Sequence, residues 1–136
     1  MANTNKIITS GKRKRAIARA VLQEGSGRIS INGRGYKTLH LFDRLKIEEP
    51  LRIAESILGK LNFDVAITAK GGGEKGQIEA SRIALSKAIV KFSKSNELEN
   101  AFFDYDRNLL VADVRRKETY KPGDSKARRK RQKSYR

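Results

Sequence analysis

The chain has 136 residues, with 31 Lys or Arg against 15 Asp or Glu, one His and no Cys, and a formal net charge of +16. That length fits one domain of ordinary size, the missing thiols exclude disulfides and thiolate-held metals, and a lone His40 cannot build a histidine zinc site without carboxylates. So large a charge predicts attraction to phosphate backbones, with lipid the weaker option, since no apolar stretch approaches the ~20 residues of a membrane span and MANTNKIITSGKRKR lacks the apolar core of a secretory signal. A cytosolic protein is expected, in a compartment that is allowed to be reducing.

The first motif in chain order is SGKRKRAIARA, Ser10 to Ala20, in which Lys12, Arg13, Lys14 and Arg15 stand in succession ahead of a strand. A nuclear-localisation patch is the competing reading. Because these residues lead straight into folded sequence, they are expected to be anchored cations making oriented phosphate contacts. Ala16 to Gln23 is rich in small and branched residues and runs into the turn signal Gly25, Ser26, Gly27. Ile29 and Ile31 then alternate with polar residues until Asn32-Gly33 closes the run, and the whole reads as a β-hairpin.

His40, between Leu39 and Leu41, has no nearby Ser or Asp in a triad-like arrangement and reads as a packed or surface histidine. Leu51, Ala54, Leu58 and Leu61 recur three, four and three apart behind Pro50, which predicts an amphipathic helix starting at the proline and weakening at Gly59. Phe63, Val65, Ile67 and Ala69 alternate with Asp64, Ala66 and Thr68, the pattern of a half-buried strand that stops at Gly71-Gly72-Gly73. From Gln77 to Lys94, Ile78, Leu85, Ile89 and Phe92 mark the longest helix, with Ala84 and Ala88 beside them. The tight carboxylate pairs, Glu48-Glu49 and Asp104-Asp106, lie beside basic residues without a metal-ligand pattern, so surface charge accounts for them. A mixed sheet with helices on one face buries these stripes in a single two-layer core, an α+β fold.

The segment KGGGEKGQ, Lys70 to Gln77, matches G-x-G-x-x-G at Gly71, Gly73 and Gly76, between a predicted strand and a predicted helix. The context fails, because no parallel strand with a ribose-binding acid follows. A Walker loop fails too, since Gln77 and Ile78 occupy the positions of its Lys and Ser or Thr. No cofactor is expected. The glycines instead expose backbone N–H groups at a helix N-terminus, where an RNA phosphate could dock.

Signed residues divide the chain into a body and two arms. Residues 1 to 24 carry +5, residues 25 to 112 only +3, and residues 113 to 136 carry +8. Residues 1–112 are therefore expected to form a globular body with a basic N-terminal segment, and 113–136 a basic tail beyond the core. The last eleven residues, KARRKRQKSYR, hold seven Lys or Arg and no acid. Such a run cannot fold alone, and at ~3.3 Å per extended residue the tail could reach roughly 80 Å through a nucleic-acid particle. Arg128, Arg129 and Arg131 offer planar forks to phosphate, Lys126, Lys130 and Lys133 supply point charges, and Tyr135 can stack on a base.

The blocks SGKRKRAIARAV, GSGRISINGR, KIEEPL, KGGGEKGQIEASRIALSKA, YDRNLLVADVRRKE and RQKSYR stand in the order found in small-subunit ribosomal protein nine, and residues 9 to 136 resemble that family. The ending RQKSYR, with KIEEPL and the YDR block, resembles its archaeal and eukaryotic branch, whereas KARRK, Lys126 to Lys130, is closer to the bacterial form. The resemblance implies a body of the ribosomal-protein-five domain-two-like fold. It also implies a structural rather than enzymatic role, bound to ribosomal RNA and neighbouring proteins in the head of the small subunit. The Lys12, Arg13, Lys14, Arg15 run and the loop with Gly71, Gly72, Gly73 and Gln77 match family segments that meet ribosomal RNA; Lys70, Arg115 and Arg116, with Lys126, Arg128, Arg129, Lys130 and Arg131 in the tail, are expected to meet it as well. Lys133, Ser134, Tyr135 and Arg136 are expected to approach transfer RNA in the peptidyl site. The alternative is a free-standing, nonspecific RNA-binding or annealing protein.

Overall fold

A computed structural model of the chain describes residues 5–123, 125–131 and 133–135. Five strands and three α-helices follow one another as β1 (Ile7–Arg13), β2 (Ala16–Glu24), β3 (Ile29–Ile31), β4 (Arg34–Gly35), α1 (Leu41–Leu58), β5 (Phe63–Lys70), α2 (Glu74–Ser93) and α3 (Asn96–Tyr105). The strands form one mixed sheet in the order β1-β2-β5-β3-β4, parallel only between β3 and β5. Every second residue of β2 and β5 is buried and its neighbours are exposed or half-exposed, so the helices cover one face and the other stays open. This is the expected α+β architecture.

α2 lies across β1, β2 and β5 on a floor of small residues. Ala16, Ala18 and Ala20 of β2 and Ala80, Ala84 and Ala88 of the helix are all buried in one core, and Gly11 of β1 meets the helix at Ala80 and Ala84. A Cβ added at Gly11 would stand 2.7 Å from the Ala84 amide nitrogen and would strike the Ala80 carbonyl oxygen. Helix and strand backbones therefore touch directly, and Thr9 Oγ1 fixes the register by donating to the Ala84 carbonyl at 2.7 Å. Phe63 and Phe92 meet edge to face at 5.5 Å between ring centres and close the far end of this core.

Three features depart from the sequence-based expectation. Residues 16–23 and 29–31 do not pair as a hairpin, because β2 and β3 flank β5 on opposite sides. The hairpins are β1–β2, turning at Lys14-Arg15, and β3–β4, turning at Asn32-Gly33 with both residues at positive φ, as a tight two-residue turn requires. Asp64 explains the crossover: its Oδ1 accepts the backbone N–H groups of Ser26, Gly27 and Arg28 at 2.8–3.0 Å, drawing the loop across the end of β5. The Arg28 N–H foremost holds the Asp64 carboxyl below its ordinary pKa, against a smaller opposing effect of burial.

Secondly, α1 starts at Leu41 and contains Pro50 instead of beginning there. An internal proline removes a backbone donor and normally costs about 3 kcal/mol. Here the helix is held on both sides of it, since Ile47, Leu51 and Ala54 bury one continuous stripe and Glu48 pairs with both Arg44 and Arg52. Glu48 is thus a buried, doubly bonded carboxylate and not plain surface charge; its bond from Arg44 foremost holds its pKa below the usual range. Thirdly, α3 is an additional short helix, capped by Ser95 accepting from the Leu98 N–H and packed through Leu98 and Phe102.

Candidate nucleic-acid interface

The β1–β2 turn projects beyond the sheet, and β5 ends beside it because Ile17 of β2 pairs with Lys70. The chain must then reverse into α2 in a very small space. Gly71 and Gly72 make this possible at φ of 76° and 61°; a Cβ on Gly71 would lie 2.7 Å from the Arg15 carbonyl oxygen, and one on Gly72 3.1 Å from Ala16. The glycine loop is therefore packed against the basic turn. No strand follows α2 among the described residues, so the loop belongs to no nucleotide-binding βαβ unit.

A cleft of about 980 Å3 opens where these segments meet. The turn contributes Arg13, Lys14 and Arg15, and the start of α2 contributes Gly72, Gly73, Glu74, Lys75 and Gly76. The third wall is Arg115, Arg116 and Lys117, more than 30 residues further along the chain. Seven cations thus face one carboxylate, Glu74. No side chain caps the N-terminus of α2, whose first-turn N–H groups add partial positive charge to the same cleft.

Two kinds of cation line it. Arg13 is structural: only 13% of its side chain is exposed, its Nε lies 2.7 Å from Glu79, and its Nη1 lies 3.3 Å from Asp113. Burial tends to raise the Glu79 carboxyl, but its bonds from Arg13 and Lys46 outweigh this and its pKa is lowered. Arg82 continues the network by bridging Glu49 and Asp106, so neither of those acidic pairs is idle surface charge. Lys14, Arg15, Arg116 and Lys117, in contrast, form no ion pair among the described residues. No carboxylate neutralises them there; Arg116 Nη1 donates to the Asp113 and Arg115 backbone carbonyls, and Lys117 Nζ lies 4.8 Å from the centre of the Tyr120 ring.

Asp113 fixes the third wall. Its carboxylate accepts from Arg115 Nε and Nη2 and from the Arg115 backbone N–H, while Arg13 stands on its other side. The Arg115 side chain foremost, then that N–H, hold the Asp113 carboxyl far below the ordinary carboxylate range, with Arg13 adding to the effect. A depressed carboxyl contributes fully above its unfolded pKa of about 3.9 and loses that contribution only as pH falls through the lower folded value. The Asp113 side-chain carbon signal in NMR should therefore stay flat from pH 7 to about pH 4. A midpoint at 4 or above would show that the Asp113–Arg115 pair does not hold this wall in solution.

The remaining sequence-derived candidates are distributed differently. Lys12 and Lys70 point to the open face of the sheet, away from the cleft. Gln77 turns back to donate to the Gly71 carbonyl at 3.1 Å and buttresses the loop. Lys126, Arg128, Arg129, Lys130 and Arg131 lie in a segment without regular structure, where Arg128 pairs with Glu118 at 2.8 Å and the Lys121 N–H donates to the Ser125 carbonyl. These contacts make local turns within the stretch. Lys133, Ser134 and Tyr135 are exposed, and Arg136 lies outside the described residues. His40 is exposed at the start of α1. Lys75 and Lys117 were not among the candidates; their adjacency to Gly73 and to Arg115-Arg116 was the available signal.

No helix among the described residues is long and apolar enough to cross a membrane, and no cluster of acids and His is arranged to hold a metal ion. The family model described as "Ribosomal protein S9/S16" matches residues 11–136. The small ribosomal subunit protein uS9 of Thermoplasma volcanium is 50% identical over 131 residues, covering 96% of this chain and 98% of the relative. Its counterpart in Thermoplasma acidophilum is 50% identical over 134 residues, covering 96% and 100%. That of Methanococcus vannielii is 47% identical over 133 residues, covering 96% and 98%.

Proposed function

We propose, since this chain belongs to the ribosomal protein S9/S16 family, that it is a structural protein of the small ribosomal subunit, not an enzyme, and that its basic cleft holds ribosomal RNA. The observation that carries the reading is the convergence on one cleft of the β1–β2 turn, the α2 N-terminus and Arg115 to Lys117, with four cations free of carboxylates among the described residues. Lys14 and Arg15 sit on a backbone already ordered by the β1–β2 hairpin, so a phosphate's arrival costs side-chain entropy there but little backbone entropy. Ribosome-bound in the cytoplasm, the chain has ribosomal RNA and ribosomal proteins as its partners.

Residues 1–112 act as the RNA-binding body and 113–136 as a tail that leaves the cleft and follows RNA. Lys126, Arg128, Arg129, Lys130 and Arg131 neutralise phosphates along that path, and Lys133, Ser134, Tyr135 and Arg136 reach transfer RNA in the peptidyl site. Two facts support this division: the family match extends through residue 136, and the segment from Val114 onward is largely exposed, with Tyr135 at 88%.

Deleting residues 133–136 is expected to leave subunit assembly intact and to weaken peptidyl-site transfer RNA binding roughly three- to thirtyfold, the range for losing one or two exposed cations at about 0.5 to 1 kcal/mol each. Filter binding on purified mutant subunits measures it, and unchanged affinity would remove the tail from the transfer RNA site. Sedimentation of cell extract tests the coarser assignment: stoichiometric recovery with small subunits supports it, whereas a free soluble pool favours the nonspecific RNA binder.

A further inference from the structure

A second cationic surface lies away from the cleft, along the outer edge of the sheet. β1 is the terminal strand on its side, and a groove of about 420 Å3 wraps its edge, from Lys87 and Lys91 of α2 on the covered face to Ile8, Ile17 and Arg19 on the open face. Lys87 and Lys91, one helical turn apart on α2, form one rim, and Arg19 of β2 stands on the other side beside Ser10. Between them Ile8 and Ile17 are 49% and 52% exposed. No acid lines the groove, and none of the three cations forms an ion pair among the described residues.

We propose that this groove is a second RNA-binding face, on which Arg19, Lys87 and Lys91 contact phosphates while Ile8 and Ile17 pack against sugars or bases. The inference rests on the ribosomal reading above for the identity of its partner. Charge selects a polyanion, and the edge itself argues against an added peptide strand. Lys87 Nζ lies 3.3 Å from the Ser10 carbonyl and occupies an edge acceptor that strand addition would need, and lysine at a sheet edge disfavours pairing. From Gly76 in the cleft to Lys91 in the groove, α2 spans roughly 20 Å at 1.5 Å per residue. The body thereby holds two separate RNA segments at a set distance, with α2 as the spacer.

The test uses the full chain and a transcript of the head region of small-subunit ribosomal RNA. Replacing Arg19, Lys87 and Lys91 together with Ala should weaken binding about tenfold and reduce the salt dependence of log affinity by roughly 2 to 3. Backbone-cleavage footprinting should lose one protected segment while the segment protected through the cleft remains. The variant R19K/K87R/K91R, which keeps every charge, should restore both. Unchanged affinity and footprint in the folded triple-Ala variant would overturn the proposal. A photo-crosslinker at position 17 that joins protein instead of RNA in assembled subunits would overturn it as well. Wild-type protein that protects no segment would bring down the ribosomal RNA reading along with the groove, whereas loss of the groove segment alone leaves that reading standing.

Discussion

Replacing Lys14, Arg15, Arg116 and Lys117 together with Ala is expected to weaken binding of small-subunit ribosomal RNA by roughly 30- to 1000-fold, at about 0.5 to 1 kcal/mol per exposed cation. The slope of log affinity against log salt should fall by about 3 to 4, since each phosphate contact contributes about 0.7 to 0.9. These four side chains line the cleft and form no ion pair among the described residues, so the fold should tolerate their loss, with an unchanged circular dichroism spectrum. Equal affinity at equal salt would show that the cleft faces no RNA. Arg13→Ala supplies a contrast within the same basic run: it leaves Glu79 and Asp113 without their shared partner, and it should lower thermal stability as well as RNA binding.

Gly11→Val is expected to cost about 3 kcal/mol, the upper part of the usual range for overpacking a core. The reason is the identity of the opposing atoms. A new side chain at Gly11 meets the Ala80 carbonyl oxygen and the Ala84 amide nitrogen, which belong to the α2 backbone and cannot rotate away. Either α2 lifts from β1 and β2 or the helix hydrogen bonds bend. Net stabilities are typically only about 5 to 15 kcal/mol, so thermal unfolding of the full chain should move down by roughly 10 °C or more. Gly35→Ala is the matched control, since Gly35 has φ −60° and open space around its Cβ position. A Gly11→Val midpoint within about 2 °C of wild type would mean that the sheet and α2 are not packed backbone to backbone.

Much of the architecture was legible because its signals are local. The alternation from Phe63 to Ala69 and the stripe from Ile78 to Phe92 correspond to β5 and α2. The pairing of β2 was not legible. A turn signal at Gly25 to Gly27 says that the chain reverses, but whether the next strand lies beside β2 or across β5 depends on Asp64, a residue 36 to 38 positions away that captures the loop's N–H groups. Pro50 misled for the same reason, since propensity treats it as a helix start and only the buried stripe of Ile47, Leu51 and Ala54 carries the helix past it. α3 is short, with Leu98 and Phe102 as its only buried residues, and a ten-residue helix offers too few repeats to stand out.

By itself the sequence determined the sign of the charge and the stretches in which cations and glycines concentrate, because both are counted without knowing the fold. Its ordered motifs also marked the family. Only the tertiary structure decided how that charge is used: Arg13 is spent on Glu79 and Asp113, Lys12 and Lys70 face the open side of the sheet, and the turn, the α2 N-terminus and Arg115 to Lys117 share one cleft. The physical reason is that electrostatic sign adds up along a chain, whereas the direction of each side chain and the meeting of distant segments follow from strand order, the glycine-permitted approach of backbones and the ion pairs that hold them.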